Sequence, residues 1–253
     1  MRNEKLEPVG ARVAGVRVGE LGRAEVAELT SVLAERGVVV LPHQSVDDEH
    51  FLAFLRSFGE LVFTDGETPV GGYPNLNVIT NVGRTTPPKS TFHVDTTYVP
   101  RPPAYTALRA VEVPEHGGQT LFSNQYAAYS TLPEDDRNFV EHRSVTHRVT
   151  GLEGIDGSAV HPLVLEHPLS HRKSLYLSAP ARCVAVSGMS DADAAEFVQY
   201  LVDHSTREEN VYRHSWSPGD VVMWDNRCVM HKADHSGVVG DRVMHRGMVA
   251  PPR

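Results

Sequence analysis

Apolar residues along this chain follow two rhythms. Between Arg23 and Arg36 they fall at positions 26, 29, 32 and 33, a spacing that makes one stripe on a helix. Gly37 follows where a C-cap glycine would stand, and the wholly apolar Val38-Val39-Val40-Leu41 predicts a buried strand stopped by Pro42. Asp47 or Asp48 would cap a second helix with Phe51, Leu52, Leu55 and Phe58 on its buried face. An opening strand is predicted within residues 8–18. Past Gly59 short runs dominate, predicting strands over 76–79, 105–113, 119–122, 163–165, 175–177, 211–214, 221–224, 228–231 and 242–249. Helices are predicted over 124–132, 134–140 and 191–202, the last capped by Ser190. Residues 147–158 are poor in apolar side chains and read as a mobile loop. A fold that is mainly β with flanking helices follows, a two-sheet sandwich or small barrel.

No repeat, low-complexity tract or linker divides the sequence, so one domain over 1–253 is expected. Its 40% hydrophobic and 22% charged residues are ordinary for a globular protein. The net charge of −8, without a Lys/Arg block, argues against a nucleic-acid or anionic-membrane partner. The amino terminus leads into no long apolar run, and no window approaches the roughly 18 apolar residues of a membrane span. Cys183 and Cys228 form neither a metal spacing nor a disulfide framework, and a cytoplasmic location is expected.

The chemistry gathers at Thr91-Phe92-His93-Val94-Asp95-Thr96-Thr97-Tyr98. On an extended chain residues i and i+2 point the same way, so His93 and Asp95 can aim at one point. Alone, a His-x-Asp is also what a hydrogen-bonded pair at a strand end looks like. A non-haem iron site takes one imidazole, one carboxylate and a second imidazole from elsewhere. His231, near the end of a strand that follows the Asp225-Asn226 turn, is placed to complete such a triad. Arg242 and Arg246, four apart on a predicted strand, can share a face. An arginine beside the metal makes sense if a dicarboxylate must be held through paired hydrogen bonds.

Longer stretches then carry a resemblance. These are Pro8-Val9-Gly10-Ala11, Arg56-Ser57-Phe58-Gly59-Glu60-Leu61, the His93 to Tyr98 segment, and Gly117-Gly118-Gln119-Thr120-Leu121-Phe122. His161-Pro162-Leu163-Val164 with His171 to Tyr176, and Trp216 through His231 to Arg242, complete the set. Together they resemble the taurine dioxygenase / 2,4-dichlorophenoxyacetate dioxygenase family of Fe(II)- and 2-oxoglutarate-dependent oxygenases. The resemblance implies a double-stranded β-helix (jelly-roll) core. It implies iron bound by His93, Asp95 and His231, and 2-oxoglutarate held by Thr120 and Arg242, the latter eleven residues after His231. It further implies substrate contacts from Arg246 and Tyr73. Read from the residues alone, Arg246 could equally pair with an acid such as Asp241, and Tyr73 could be a packed loop aromatic.

The implied reaction uses Fe(II), 2-oxoglutarate and O2 to hydroxylate an unactivated C–H bond of a small, anionic organic substrate. Succinate and CO2 are released, and cleavage or desaturation are the other outcomes. Where taurine dioxygenase has a histidine before the tyrosine and an asparagine before the first iron ligand, this chain has Val70-Gly71-Gly72 and Lys89. Those departures argue against taurine itself. Two rival classes share the triad: a non-catalytic sensor of metal and 2-oxoglutarate, and a zinc hydrolase. A homo-oligomer is left open.

Overall fold

The computed structural model describes residues 1–84, 90–150 and 155–252. Val38–Leu41 shows how the layers arise from the sequence. It lies in a nine-stranded sheet, between Ala11–Ala14 and Val221–Asp225. Because successive side chains alternate across a strand, Val39 and Leu41 pack under the first two helices while Val38 and Val40 face the opposite core. Val221–Asp225 behaves likewise: Val221 and Met223 join the helical side, Val222 and Trp224 the other. A wholly apolar run is what a strand covered on both faces requires.

From edge to edge the sheet runs Arg2–Lys5, Ala11–Ala14, Val38–Leu41, Val221–Asp225, Tyr105–Glu112, Val243–Val249, Tyr73–Thr80 and Pro69–Val70, with Leu61–Val62 beside Val243–Val249. The helices Arg23–Arg36 and Asp48–Phe58 cover one face through Leu29, Leu33, Phe51, Phe54 and Leu55. Asp47 caps the second helix by accepting from the His50 backbone at 2.9 Å. Gly247 lets that helix approach closely, since a Cβ there would stand 2.2 Å from a Leu55 methyl. Facing the other side is a three-stranded sheet of Val211–His214, Thr120–Asn124 and Val229–Ala233. Phe122 and Val229 from that sheet share a buried cluster with Leu108, Val222 and Trp224. Two sheets closed on a common core form the jelly roll, and the site opens between them.

Several expectations need correction. The opening strand is confined to Ala11–Ala14, and its hairpin partner Arg2–Lys5 is exposed throughout, which is why no apolar pattern announced it. The loop expected over 147–158 is in part an antiparallel pair, Ser144–Arg148 with Ser158–Pro162, while residues 151–154 lie outside the described residues. There the inward positions are Val145, His147, Ala159 and His161. Two of those four are imidazoles, so the alternation is real but not apolar. Cys183–Val186, unannounced by the sequence pattern, pairs on the other side of Ser144–Arg148. The helix expected over 191–202 runs one turn further, as Asp191–Ser205.

Candidate metal centre and its cavity

His93 and His231 meet through the main chain before their side chains do. They form an isolated antiparallel bridge, exchanging backbone hydrogen bonds of 3.0 and 2.9 Å. This hooks the segment before Asp95 onto the edge strand Val229–Ala233. The imidazoles follow, with ring centroids 4.3 Å apart. The extended chain expected through the whole motif stops at Val94. Asp95 opens a turn, and Thr96 takes φ 46°, a region a β-branched residue rarely enters. That turn swings the carboxylate under both rings.

The ligand-capable atoms of His93, Asp95 and His231 all lie within 4.8 Å of one another. Nε2 of His93 is 3.7 Å from one Asp95 oxygen, and Nε2 of His231 is 3.8 Å from the other. Those distances are too long for hydrogen bonds and leave a gap faced by three donor atoms. Nδ1 of His93 lies 2.8 Å from the Thr91 carbonyl oxygen, which can only accept. Nδ1 therefore carries the hydrogen, and Nε2 keeps its lone pair for a metal.

Protonation also suits a ligand set. Burial, opposed by Asp95, pushes the His231 imidazole down to about 3, so it is neutral at physiological pH. Burial alone would raise the Asp95 carboxyl, but the adjoining His231 imidazole, the Arg246 guanidinium and the His93 ring hold it well below the usual carboxylate range. Arg246 is the permanent cation of that group, its Nη1 3.3 Å from Asp95 Oδ1. The Thr106 hydroxyl donates to Asp95 Oδ2 at 2.7 Å. Thr106 in turn accepts from Asn226 at 2.8 Å, and Asn226 accepts from the Trp224 indole at 3.2 Å. A chain of buried donors thus fixes the carboxylate. An imidazole pair and one carboxylate are the donors that suit non-haem iron, and these residues fit it.

A cavity of about 290 Å³ adjoins the triad. Its wall includes Thr120, Arg182, Arg242 and Arg246 beside the two imidazoles, with Ile79, Leu108 and Trp224 on the apolar side. Arg242 is only 1% exposed. Its Nε donates to the Gly118 carbonyl at 2.9 Å and its Nη2 lies 3.4 Å from Thr120 Oγ1, while Nη1 has no partner among the described residues. No carboxylate pairs with it among the described residues. Burial pulls its pKa down to about 10, which still leaves it charged at neutral pH. Gly118 makes this possible: at φ 70° it turns its carbonyl to Arg242, and a Cβ there would stand 3.0 Å from the arginine Cδ. Thr120 also accepts from the Trp216 indole at 3.0 Å.

The structure thus brings His93, His231, Thr120, Arg242 and Arg246 to one cavity, with Asp95 against its two imidazoles. Arg242 stands just before Val243–Val249 rather than on it. Arg246 faces the cavity and is balanced there: Nε donates to Asn77 at 3.1 Å, Nη1 to Asp95 and Nη2 to Glu67, not to Asp241. Tyr73 lies elsewhere, lining a separate hollow with Asp48 and Arg109, and Lys89 falls outside the described residues. Thr106, Asn226, Glu67 and Arg182 escaped the sequence reading. Asn226 was visible only as turn chemistry, and the others are brought to the site solely by strand pairing and loop closure.

Comparison with known proteins agrees. The family model described as "Taurine catabolism dioxygenase TauD, TfdA family" matches residues 2–248. A (S)-phenoxypropionate/alpha-ketoglutarate-dioxygenase of Sphingobium herbicidovorans is 31% identical, over 95% of this chain and 91% of the relative. An alpha-ketoglutarate-dependent 2,4-dichlorophenoxyacetate dioxygenase of Cupriavidus pinatubonensis is 30% identical, over 89% and 88%. The crystal structure of AAD-2 in complex with Mn(II) and N-oxalylglycine superposes with a TM-score of 0.88 at 27% identity, covering 100% of this chain and 98% of that one.

Proposed function

The chain belongs to the TauD, TfdA family and is an Fe(II)/2-oxoglutarate-dependent dioxygenase; on that premise we propose that it hydroxylates a C–H bond of a small organic anion. The observation that carries this reading is Arg242, a buried guanidinium beside the triad with no carboxylate of its own among the described residues. A buried charge without a partner is costly, and a ligand carboxylate is the group that would relieve it.

His93, Asp95 and His231 would hold Fe(II). The bound iron supplies activation of O2 coupled to oxidative decarboxylation of 2-oxoglutarate to succinate and CO2. The chain's own part is to place the reactants. Arg242 binds the far carboxylate of 2-oxoglutarate through its unpartnered Nη1 and the adjacent Nη2. Thr120 assists in a defined way. Its oxygen already accepts from Trp216 and faces Arg242, so its own hydrogen remains to be donated to the same carboxylate. Thr106 and Arg246 hold Asp95 in one rotamer and keep it ionised. Ile79, Leu108 and Trp224 give the substrate body an apolar wall.

An anionic substrate is supported by the arginine-lined cavity, and by relatives whose names carry phenoxypropionate and 2,4-dichlorophenoxyacetate. The same reading treats 1–253 as one dioxygenase domain, in keeping with the family match over 2–248. Anaerobic reconstitution with Fe(II) and 2-oxoglutarate tests it. A weak visible metal-to-ligand absorption should appear in the wild type and require far more 2-oxoglutarate in Arg242→Ala. Its absence from the wild type would overturn the reading.

A further inference from the structure

Three guanidiniums line the cavity, and the charge of each can be accounted for separately. Arg242 is the one set aside for 2-oxoglutarate. Arg246 is spent within the protein: Asn77, Asp95 and Glu67 take its three nitrogens, and two carboxylates stand against one positive charge. An incoming anion at Arg246 would have to displace Glu67 or compete with the candidate metal ligand. Arg182 is different. It closes the short turn Pro180–Arg182, where its backbone N–H is held by Ala179 at 2.8 Å. Its side chain makes no hydrogen bond or ion pair among the described residues, and its guanidinium meets only the Tyr98 ring, at 5.9 Å. It is half-buried, and close enough for its charge to act on His231.

We propose that Arg182, rather than Arg246, grips the anionic head of the organic substrate, and that this substrate is a small carboxylate with an apolar body. The proposal rests on the dioxygenase reading above and deepens it. A guanidinium fork matches a carboxylate through two parallel hydrogen bonds. Partly withdrawn from water, it holds that charge more firmly than a surface arginine would. Ile79 and Leu108, on the same cavity, suit a hydrocarbon body and offer nothing to a second charge. Arg246 then acts as a positioning residue for Asp95.

Substrate-stimulated succinate release tests this with phenoxyacetate, its neutral amide and phenoxymethanesulfonate as probes. Arg182→Gln should raise KM for phenoxyacetate about ten- to a hundredfold, with a smaller change in kcat. Arg182→Lys should recover part of the loss. The amide should be a poor substrate of the wild type and respond little to either variant. The sulfonate should follow the acid if head charge alone is read, and fall behind it if the planar fork matters; both results support Arg182. The apparent constant for 2-oxoglutarate and the anaerobic Fe(II)/2-oxoglutarate absorption report separately on the dioxygenase reading. If that absorption forms but Arg182→Gln keeps the wild-type KM for the acid, the Arg182 assignment is overturned and the dioxygenase reading stands. A wild type that prefers the amide, or responds to neither anion, overturns the substrate class.

Discussion

Replacing Arg242 with Met should leave the ligand-free protein at least as stable as the wild type, yet remove its response to 2-oxoglutarate. Truncating a buried side chain ordinarily costs about 2–5 kcal/mol. Here the sign should differ, because what is removed is a buried charge. Burial pulls the Arg242 pKa down from the ordinary guanidinium value to about 10, a penalty of about 3 kcal/mol on the charged form. Since the folded value lies below the unfolded one and the group is a base, that penalty is present in full below pH 10. It fades only as the pH rises above about 10 toward the ordinary guanidinium value, so neutral solution carries all of it. Against it stand the hydrogen bonds to Gly118 at 2.9 Å and Thr120 at 3.4 Å, together about 1–2 kcal/mol. Arg242→Met should therefore change unfolding free energy by about 0 to +2 kcal/mol in favour of the variant. Saturating 2-oxoglutarate, at about a hundred times its Kd, should add about 2.7 kcal/mol to the metal-loaded wild type. The variant should lose that gain, because a lost charge-assisted contact to a buried carboxylate costs about 2–5 kcal/mol. Denaturant unfolding of both proteins, loaded with a redox-inert divalent ion, with and without 2-oxoglutarate, measures every quantity. A variant that loses more than about 2 kcal/mol unliganded and keeps the ligand-induced gain would refute the argument.

Three further outcomes are expected. His93→Ala, Asp95→Ala and His231→Ala should each lose most iron binding while remaining folded by near-UV circular dichroism. Asp95→Ala should be the least stable, since it strips Arg246 and Thr106 of a partner; wild-type iron affinity in any one variant removes that residue from the ligand set. Thr106→Val should weaken iron binding about ten- to a hundredfold by freeing the Asp95 carboxylate, and an unchanged affinity would show that the hydroxyl is not a support. Burial with repulsion from His161 and Arg182 holds His147 neutral, its pKa pushed down to about 3 from 6.5. The unfolded chain therefore takes up that proton first, and stability should fall as pH drops from 6.5 toward 3. His147→Leu should make that limb shallower by up to about 1.4 kcal/mol per pH unit, and an equally steep limb would contradict the assignment.

What the sequence made legible follows from range. Arg23–Arg36, its Gly37 cap and Val38–Leu41 are set by neighbours in the chain, and they appear as expected. The same is true of the Asp47 cap, and of the Gly117-Gly118 turn that delivers Thr120. The supports of Asp95 could not be read in this way. Thr106 and Arg246 reach it from Tyr105–Glu112 and Val243–Val249, adjacent strands whose pairing register no local pattern encodes. Arg246 shows the limit: alternation puts it on the cavity face but cannot reveal that Glu67 and Asp95 already occupy it. Tyr73 shows another limit, since a likeness in local sequence placed it near the substrate and the path of the chain sets it in a different hollow.

Val243–Val249 sits between Tyr105–Glu112 and Tyr73–Thr80, near the middle of the large sheet, although it follows both by more than a hundred residues in the sequence. On the ribosome, then, the order of synthesis runs against the order of assembly. Until those residues emerge, Tyr105–Glu112 and Tyr73–Thr80 each keep one row of backbone donors and acceptors open. The helix Asp48–Phe58 meanwhile has no Gly247 surface to settle on. A nascent chain in that state presents two unpaired strand edges and an apolar helix face, the features that recruit chaperones or seed misassociation. The closing strand also carries Arg246, so the event that completes the sheet is the one that orients Asp95. Metal competence should therefore arrive in a single step, when that strand pairs, rather than build up as the earlier ligands emerge.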